Sequence, residues 1–254
     1  MNTTKEQRIL RIERKAVLPS GWLHLVLVDP DGAPMFNAEP GQFVEVAVDR
    51  AKVLLNRPLS IYNRTEQSLE LLVSPVGTAT RALEEYAEGD SLRVIGALGK
   101  GFGIPSGKVL LVGGGVGIAP LYYQMRRLLE KGCEVEVLFG MRTAPDDAVC
   151  RRFSELAPLH VCTDDGSAGF HGLVTAHPVF TAGNYSMIQM CGPKPMMKAA
   201  AALAAAAGIE AEASLENMMA CGLGACLCCV EPTVKGNLCV CKHGPVFNIK
   251  ELQW

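Results

Sequence analysis

The sequence predicts an α+β chain of three parts: an N-terminal antiparallel β-barrel, a doubly wound α/β domain and a small C-terminal module rich in cysteine. Three observations support this prediction. Short β-branched runs separated by turns dominate roughly the first hundred residues. A glycine-rich loop between a strand and a helix follows them, and six of the ten cysteines then stand between positions 221 and 241. A chain of 254 residues suffices for about two domains and a small module.

The composition argues against several classes of partner. The chain is 49% hydrophobic and 20% charged, with a formal net charge of −2, so neither nucleic acid nor an anionic membrane is expected. No apolar run reaches the roughly 18 to 20 residues of a membrane span, and the charged first residues lack the apolar core of a signal peptide. Cys133, Cys150, Cys162 and Cys191 are scattered like the reduced thiols of a cytoplasmic protein.

The barrel is predicted over residues 1–103. Turn signals such as Pro30-Asp31-Gly32 separate its strands, and regularly spaced short strands indicate a small barrel. One helix is expected over Ala79–Glu88, with Thr78 as its N-cap. The predicted strands are Trp22–Val28, Gln42–Val48, Leu69–Pro75 and Ser91–Leu98.

The α/β domain is predicted over residues 107–208, after a boundary of glycine and proline at Gly101–Gly107. From Lys108 the sequence alternates between short apolar runs and helical stretches, which is typical of a parallel sheet covered by helices. Lys198–Gly208 is rich in alanine, so it predicts a helix that ends at the glycine.

Two loops of this domain are candidates for holding a nucleotide. Amides of a glycine loop at a helix N-terminus can bind phosphate, although Ile118 replaces the last glycine of the usual pattern and Pro120 closes the motif instead. A tight strand–helix turn without a ligand is the alternative. The second loop follows the last parallel strand, at the sheet edge where such folds bind ligands. The candidate residues are Gly113, Gly114, Gly115, Gly117, Cys191, Gly192 and Pro193.

The region that usually carries an acidic residue for a ribose hydroxyl reads FGMRT here. Arg142 in that segment has the charge to accept a 2′-phosphate, but it equally fits a solvated surface arginine. The choice between NADH and NADPH therefore stays open from the residues alone.

The module over residues 209–254 contains the most specific motif. Cys221, Cys226 and Cys229 have the C-x4-C-x2-C spacing of a plant-type [2Fe–2S] cluster, and Cys241 supplies a fourth thiolate. Glycines at 222 and 224 allow the unusual backbone of a loop that wraps a cluster. The remaining Cys228 and Cys239 are interpreted as neighbours. A zinc site and disulfides are the alternatives, and zinc fits this spacing poorly.

These motifs together resemble a known family. The run Arg57-Pro58-Leu59-Ser60, the pair Gly77-Thr78, GGGVGIAPL and CGP resemble the ferredoxin–NADP reductase superfamily. The appended CGLGACLCCV and VCKHGPVF are similar to the electron-transfer subunits of class 1B dihydroorotate dehydrogenases, and the resemblance covers almost the whole chain. Without it, RPLSIY is simply an edge strand that carries a proline.

The resemblance implies an FAD and a [2Fe–2S] cluster in this chain, with NAD as the outlet for electrons. Arg57 would neutralise the FAD pyrophosphate, as its planar fork suits phosphate, and Ser60 would lie near flavin N5. The FAD contacts implied are Arg57, Pro58, Leu59, Ser60, Leu72, Val73, Gly77 and Thr78.

The resemblance also implies a partner, an FMN-containing dihydroorotate dehydrogenase catalytic subunit, in a heterotetramer with two copies of each chain that serves pyrimidine (UMP) biosynthesis. We find no Ser–His–Asp set or paired catalytic carboxylates, so substrate oxidation is expected on that partner. Part of an apolar group around the cysteines should be covered by it. This group comprises Met218, Met219, Leu223, Leu227, Val246 and Phe247.

There are four alternatives to this resemblance, and Cys221 argues against the first of them. The small subunit of NADH-dependent ferredoxin–NADP oxidoreductases has the same layout but an aspartate at the first ligand position, which is Cys221 here. The gamma subunits of sulfhydrogenases, and other NAD(P)H-dependent flavin and iron–sulfur reductases, would use another electron acceptor. A zinc-stabilised nucleotide sensor would have no redox activity, and its metal content would distinguish it.

Overall fold

The computed structural model describes residues 5–254, and its first half is a closed antiparallel barrel with the strand order β1-β2-β5-β4-β3-β6. The barrel is filled by alternate side chains of these strands, such as Leu25, Val44 and Leu71. One short helix, α1 (Thr78–Ala82), connects β5 to β6. The strands are β1 (Glu6–Val17), β2 (Leu23–Val28), β3 (Phe43–Ala47), β4 (Arg57–Arg64), β5 (Ser68–Val73) and β6 (Ser91–Leu98).

The predicted barrel is confirmed, and each of the four expected strands lies within two residues of its predicted bounds. The strand β1 was missed because most of its side chains reach solvent, and in its sequence only Leu10 and Ile12 are fully buried. The interpretation of β4 as an edge strand is wrong, since it pairs with both β3 and β5. Pro58 therefore lies on a strand that has a neighbour on each side, and it pairs with Glu45 of β3.

The expected helix over Ala79–Glu88 is also wrong in its extent. It is α-helical only to Ala82 and continues as a 3₁₀ turn over Leu83–Glu85. Its N-cap is Gly77 rather than Thr78, and the Gly77 amide donates a hydrogen bond to Oγ1 of Thr80 at 3.0 Å. The Thr80 hydroxyl thus reaches back to the amide of the N-cap residue, which is one half of a capping box, and Thr78 is the first residue of the helix.

The second half is a seven-stranded sheet in the order β10-β9-β8-β7-β11-β12-β15. All of its pairings are parallel except that of β15 with β12. Its strands are β7 (Lys108–Gly114), β8 (Glu134–Met141), β9 (Leu159–Thr163), β10 (Phe170–His171), β11 (Met187–Cys191), β12 (Glu210–Ser214) and β15 (Val246–Asn248), and a separate hairpin consists of β13 (Val230–Thr233) and β14 (Gly236–Cys239). The helices are α2 (Ala119–Glu130), α3 (Asp147–Ser154), α4 (Pro178–Ala182), α5 (Lys194–Ala206) and α6 (Val240–His243).

Helices cover both faces of this sheet, which confirms the doubly wound arrangement. Leu110 and Val112 of β7 pack on the side of α5, while the alternating Val109 and Leu111 pack on the side of α2 and α3. After β7 the chain adds β8, β9 and β10 on one side of β7, and it then returns to add β11 on the other side. The strand order therefore reverses between β7 and β11. Such a switch point is where these folds bind ligands.

The C-terminal segment extends the sheet. Strand β12 pairs in parallel with β11, and β15 adds an antiparallel strand at the edge. The predicted C-terminal module, which starts at residue 209, therefore begins with a strand that belongs to the sheet of the α/β domain. The helix α5 also starts at Lys194, four residues before the alanine-rich stretch that predicted it.

The linker between barrel and sheet is fixed by polar contacts to two strands and a helix of the sheet domain. The Gly103 amide donates to Oε2 of Glu212 at 2.9 Å, and the Gly103 carbonyl accepts from Nε2 of Gln124 and of Gln189, both at 2.8 Å. A Cβ at position 103 would lie 3.2 Å from Oε1 of Glu212, so glycine allows this approach. Within residues 5–254, no helix is long and apolar enough to cross a membrane.

Candidate cofactor sites

The first site is built on the start of β4. Residues 57–60 are half-buried, whereas Ile61, Tyr62 and Asn63 after them are buried. The Arg57 guanidinium donates through NH1 to the carbonyls of Leu55 at 2.8 Å and Asn56 at 3.0 Å. Carbonyl partners leave the arginine charge unneutralised, so the geometry fits a bound phosphate.

A cavity of about 680 Å³ adjoins the start of α1 and is lined by Gly77, Thr78, Arg50 and Arg81 among others. Glu84 and Glu85 also line it, and Arg50 pairs with Asp90 at 2.9 Å, so carboxylates partly balance the charge of the two arginines. The predicted contacts Leu72 and Val73 are both buried, in the interface between the domains and in the barrel core respectively. Because these two side chains are packed in the protein, a cofactor would contact mainly the backbone atoms of these residues.

The two nucleotide loops form one site. Five of the seven predicted residues line one cavity of about 1450 Å³, together with Arg142 and Asp164: Gly114, Gly115, Gly117, Gly192 and Pro193. The other two, Gly113 and Cys191, are buried and do not line it. The glycine loop first forms a 3₁₀ turn over Gly115–Ile118, and α2 begins at Ala119. This cavity lies at the switch point between β7 and β11.

The glycines of these loops serve different purposes. A Cβ on Gly117 would lie 2.6 Å from the Cys191 carbonyl oxygen, and one on Gly192 would lie 2.9 Å from Cα of Gly114. Glycine is therefore required where the two loops contact each other through their backbones. Gly115, with φ of +55°, would have nothing within 4 Å of its Cβ, so it faces open space.

The four predicted cluster ligands come together as two pairs. Cys221 and Cys226 contact each other in the loop, and Cys229 contacts Cys241, whose amide also donates to Sγ of Cys229 at 3.4 Å. The pKa of Cys221 is lowered to about 6, mainly by a hydrogen bond from the Leu223 amide. Partial burial raises this pKa, and Cys226 lowers it further. A lowered pKa favours the thiolate, which is the form that binds metal.

This pairing fits a two-iron cluster. A tetrahedral zinc site needs four ligands around one metal, whereas a [2Fe–2S] cluster takes four cysteines over two irons. Cys228 is exposed, and Cys239 is buried beside Cys229.

The backbone of the cysteine loop is unusual at three positions. Gly222 and Gly224 have φ of +63° and +82°, and Leu227 has φ of +59°. A Cβ on Gly222 would lie 2.7 Å from Cγ of Glu45. The sequence therefore predicted the glycines correctly for conformation, but the carboxylate beneath the loop was not foreseen.

Glu45 lies between the first site and the cysteine loop. It is 2% exposed, neither carboxylate oxygen has a hydrogen-bond partner, and its strand pairs with the strand of Arg57. Burial, and then the charge of Cys221, raise the pKa of Glu45 to about 7, while Arg57 opposes the shift. Alternate residues of β3 fill the barrel, so Glu45 points out of its interior, where the cysteine loop lies over it.

Comparison with known proteins gives a consistent answer. Residues 216–253 match the sequence family "Iron-sulfur cluster binding domain of dihydroorotate dehydrogenase B", and residues 111–202 match "Oxidoreductase NAD-binding domain". The electron transfer subunit of dihydroorotate dehydrogenase B (NAD(+)) from Listeria monocytogenes is 38% identical over 223 residues, covering 84% of this chain and 87% of the relative. Its counterpart from Clostridium acetobutylicum is 37% identical over 221 residues, covering 85% and 87%.

The chain belongs to the family of dihydroorotate dehydrogenase B electron transfer subunits. A solved NADH-dependent reduced ferredoxin–NADP oxidoreductase is 30% identical, with a TM-score of 0.85, and covers 96% of this chain and 90% of that one. The FAD/NAD-binding domain of a Vibrio cholerae nitric oxide dioxygenase shares the fold, with a TM-score of 0.69 and 18% identity, over 80% of this chain and 94% of that one. Membership of the family confirms the predicted cofactors: FAD, a [2Fe–2S] cluster and NAD.

Proposed function

We propose that this chain transfers electrons between the FMN of a dihydroorotate dehydrogenase catalytic subunit and NAD⁺, in pyrimidine biosynthesis in the cytoplasm. The observation that carries the proposal is the cysteine loop, which presents Cys226 at the surface beside exposed leucines. The ten cysteines are free, which fits a reducing compartment. When bound, the cluster supplies one-electron transfer, and the flavin exchanges electron pairs with nicotinamide.

The residues of the chain bind and orient these groups. Cys221, Cys226, Cys229 and Cys241 are the cluster ligands in our proposal. The Leu223 amide favours the thiolate of Cys221, whereas burial and the neighbouring Cys229 raise the pKa of Cys241. For FAD, Arg57 offsets the pyrophosphate charge and Ser60 contributes a hydroxyl at the flavin; the other contacts are Pro58, Leu59, Leu72, Val73, Gly77 and Thr78. For NAD, the proposed contacts are the cavity-lining Gly114, Gly115, Gly117, Gly192 and Pro193. The buried Gly113 and Cys191 pack against the glycine loop and support it.

The face around the cysteine loop is the proposed docking surface for the catalytic subunit. Of the apolar residues expected there, Met218, Leu223 and Leu227 are exposed, and the other three are buried within the chain. Electron transfer needs a short distance between redox groups, so the exposed ligand loop belongs at an interface. A closed assembly with two copies of each chain is the stoichiometry that we propose.

Binding to the catalytic subunit tests this surface. Leu223→Glu should weaken complex formation by at least tenfold in analytical ultracentrifugation, because it buries a charge in an apolar interface. The matched control is Leu156→Glu, since both leucines are 43% exposed and Leu156 precedes β9 on the far side of the sheet. Equal binding by both variants would contradict the proposed surface, and failure of the unaltered chain to bind would contradict the proposed partner.

A second candidate is a reductase that uses another electron acceptor, since the solved ferredoxin–NADP oxidoreductase matches nearly the full chain. Cys221 and the higher identity to dihydroorotate dehydrogenase B subunits favour the first proposal. If this chain reduced a ferredoxin as fast as it exchanged electrons with the catalytic subunit, the result would favour the second candidate.

A further inference from the structure

Polar and aromatic side chains join the barrel to the α/β domain outside the residues assigned to cofactors. The interface cluster, as we define it, contains His24, Tyr62, Asn63 and Glu70 from the barrel and Tyr122, Arg126 and Arg152 from the α/β domain. Its centre is Glu70 of β5, which is 8% exposed. A charged group so deeply placed needs partners, and the cluster supplies them from both domains.

Arg152 of α3 crosses the interface to Glu70. Its NH1 donates to Oε2 of Glu70 at 2.6 Å, and its NH2 donates to Oε1 at 3.3 Å. The guanidinium carbon lies 4.9 Å from the ring centre of Tyr62 and 4.5 Å from that of Tyr122. The arginine is therefore held by a paired hydrogen bond and by aromatic rings from both domains, which fixes its orientation.

The barrel residues of the cluster are fixed to one another. His24 Nε2 lies 2.7 Å from Oε2 of Glu70, and Nδ2 of Asn63 donates to Oε1 at 2.7 Å. Burial alone would raise the pKa of Glu70, but the hydrogen bonds from His24, Arg152 and Asn63 hold this pKa well below its usual range. Glu70 is thus the fixed acceptor to which Arg152 binds.

Two further contacts connect β4 to α2. The rings of Tyr62 and Tyr122 stack with centroids 4.9 Å apart at 29°, and Arg126 NH1 donates to Oδ1 of Asn63 at 2.8 Å. On the same side, the Ser20 amide donates to Oδ1 of Asp146 at 3.0 Å, so α3 is held against the barrel at its start as well.

The cluster connects the elements that carry the two cofactor motifs. Tyr62 lies two residues after Ser60 on β4, and Tyr122 lies in the first turn of α2, which opens directly after the glycine loop. Hydride transfer requires reacting atoms about 3–3.5 Å apart, and an error of about 1 Å can cost about a hundredfold in rate. The angle between the two domains therefore bears directly on the reaction.

We propose that Arg152 is a positioning residue for exchange between nicotinamide and flavin: by binding Glu70 across the interface, it fixes how the α/β domain presents the nucleotide to the barrel. This inference rests on the flavin and nucleotide chemistry of the proposed function but not on the partner subunit. Arg152 touches neither cofactor motif and acts through the orientation of α3 and α2.

The test uses the purified chain with its cofactors and without a partner. Anaerobic stopped-flow measurement of flavin reduction by NADH should give a rate constant at least tenfold lower for Arg152→Gln, with less than a threefold change in the Kd of NADH. The deuterium isotope effect on that rate should increase, because hydride transfer becomes more fully rate-limiting. A merely structural role would lower the flavin content without changing the isotope effect. Arg152→Lys should recover part of the rate.

A second measurement does not depend on activity. Hydrogen exchange followed by mass spectrometry should show faster exchange in 62–64 and 122–126 of Arg152→Gln, because these segments meet across the interface. Glu70→Gln should produce the same pattern, and the double variant should add little, since both changes remove one interaction. The matched control is Arg127→Gln, whose partner Glu130 lies on its own helix, and it should leave rate and exchange unchanged.

The outcomes separate two failures. If NADH reduces the flavin of the unaltered chain and of Arg152→Gln equally fast, the positioning role is wrong. An equal loss of rate in Arg127→Gln would also overturn it. If NADH does not reduce the flavin even in the unaltered chain, the proposed function fails, and the positioning role fails with it. Should Arg152→Gln not fold, Arg152→Lys and Glu70→Gln decide by the same criteria.

Discussion

Gly222→Ala should prevent the cysteine loop from closing around its cluster. Two costs combine. The φ of +63° places residue 222 in the left-handed region, which costs a non-glycine residue about 1–2 kcal/mol. The added Cβ would also lie 2.7 Å from Cγ and 2.8 Å from Oε1 of Glu45. The Glu45 side chain is buried, so to clear the new Cβ it would have to move against packed neighbours, and such overpacking costs about 1–3 kcal/mol.

Gly236→Ala is the matched control for the backbone cost. Gly236 has φ of +92°, and its Cβ would meet nothing within 4 Å. Both alanines therefore pay for a left-handed backbone, and the steric cost of about 1–3 kcal/mol is specific to Gly222→Ala. We expect iron and acid-labile sulfide, measured per chain after anaerobic purification, to be low in Gly222→Ala and close to the unaltered level in Gly236→Ala.

The double variant Gly222→Ala/Glu45→Ala identifies the clashing group. Removing the carboxylate leaves space for the new Cβ, so the double variant should regain iron relative to Gly222→Ala. If Gly222→Ala retained as much iron as Gly236→Ala, or if the second substitution had no effect, the placement of Glu45 beneath the loop would be refuted.

Three further predictions concern the individual sites. Cys229→Ser should lose the visible absorbance and the reduced-state EPR signal of the cluster, whereas the exposed Cys228→Ser should keep both; the reverse result would overturn the ligand assignment. Arg57→Ala should weaken FAD binding by about 10- to 150-fold, because a hydrogen bond to a charged group contributes about 1.5–3 kcal/mol; an unchanged Kd in flavin titrations would exclude the pyrophosphate role. In steady-state diaphorase assays NADH should be preferred over NADPH, and a preference for NADPH that Arg142→Ala abolished would show that this arginine binds a 2′-phosphate.

Local motifs made much of the candidate site predictable. The cysteine spacing and its glycines follow from the geometry of a cluster loop, and the structure pairs Cys221 with Cys226 and Cys229 with Cys241. The glycine loop could also be predicted from the sequence, because its strand, turn and helix N-terminus follow one another along the chain. These features require few residues and little knowledge of distant contacts.

What the sequence could not predict depends on distant segments. From the sequence alone Glu45 is a solvent-facing strand residue, but Gly222 of the cysteine loop, 177 residues later in the chain, covers it. Arg152 and Glu70 likewise meet only because two domains pack together. The strand β1 was missed because a barrel strand needs apolar side chains on only one face, and few of its residues are apolar. The predicted border at residue 208 also fails to mark the end of the sheet, because β12 follows it and pairs with β11.

The most direct test of electron transfer through this chain is the reduction of NAD⁺ by dihydroorotate in a mixture with the FMN-containing catalytic subunit. The catalytic subunit alone should not reduce NAD⁺, and adding the chain should confer that activity. With Cys226→Ser in place of the unaltered chain, the coupled activity should disappear while NADH still reduces dyes through the flavin. Coupled activity that survived loss of the cluster would contradict the account, because electrons would then reach NAD⁺ by another route.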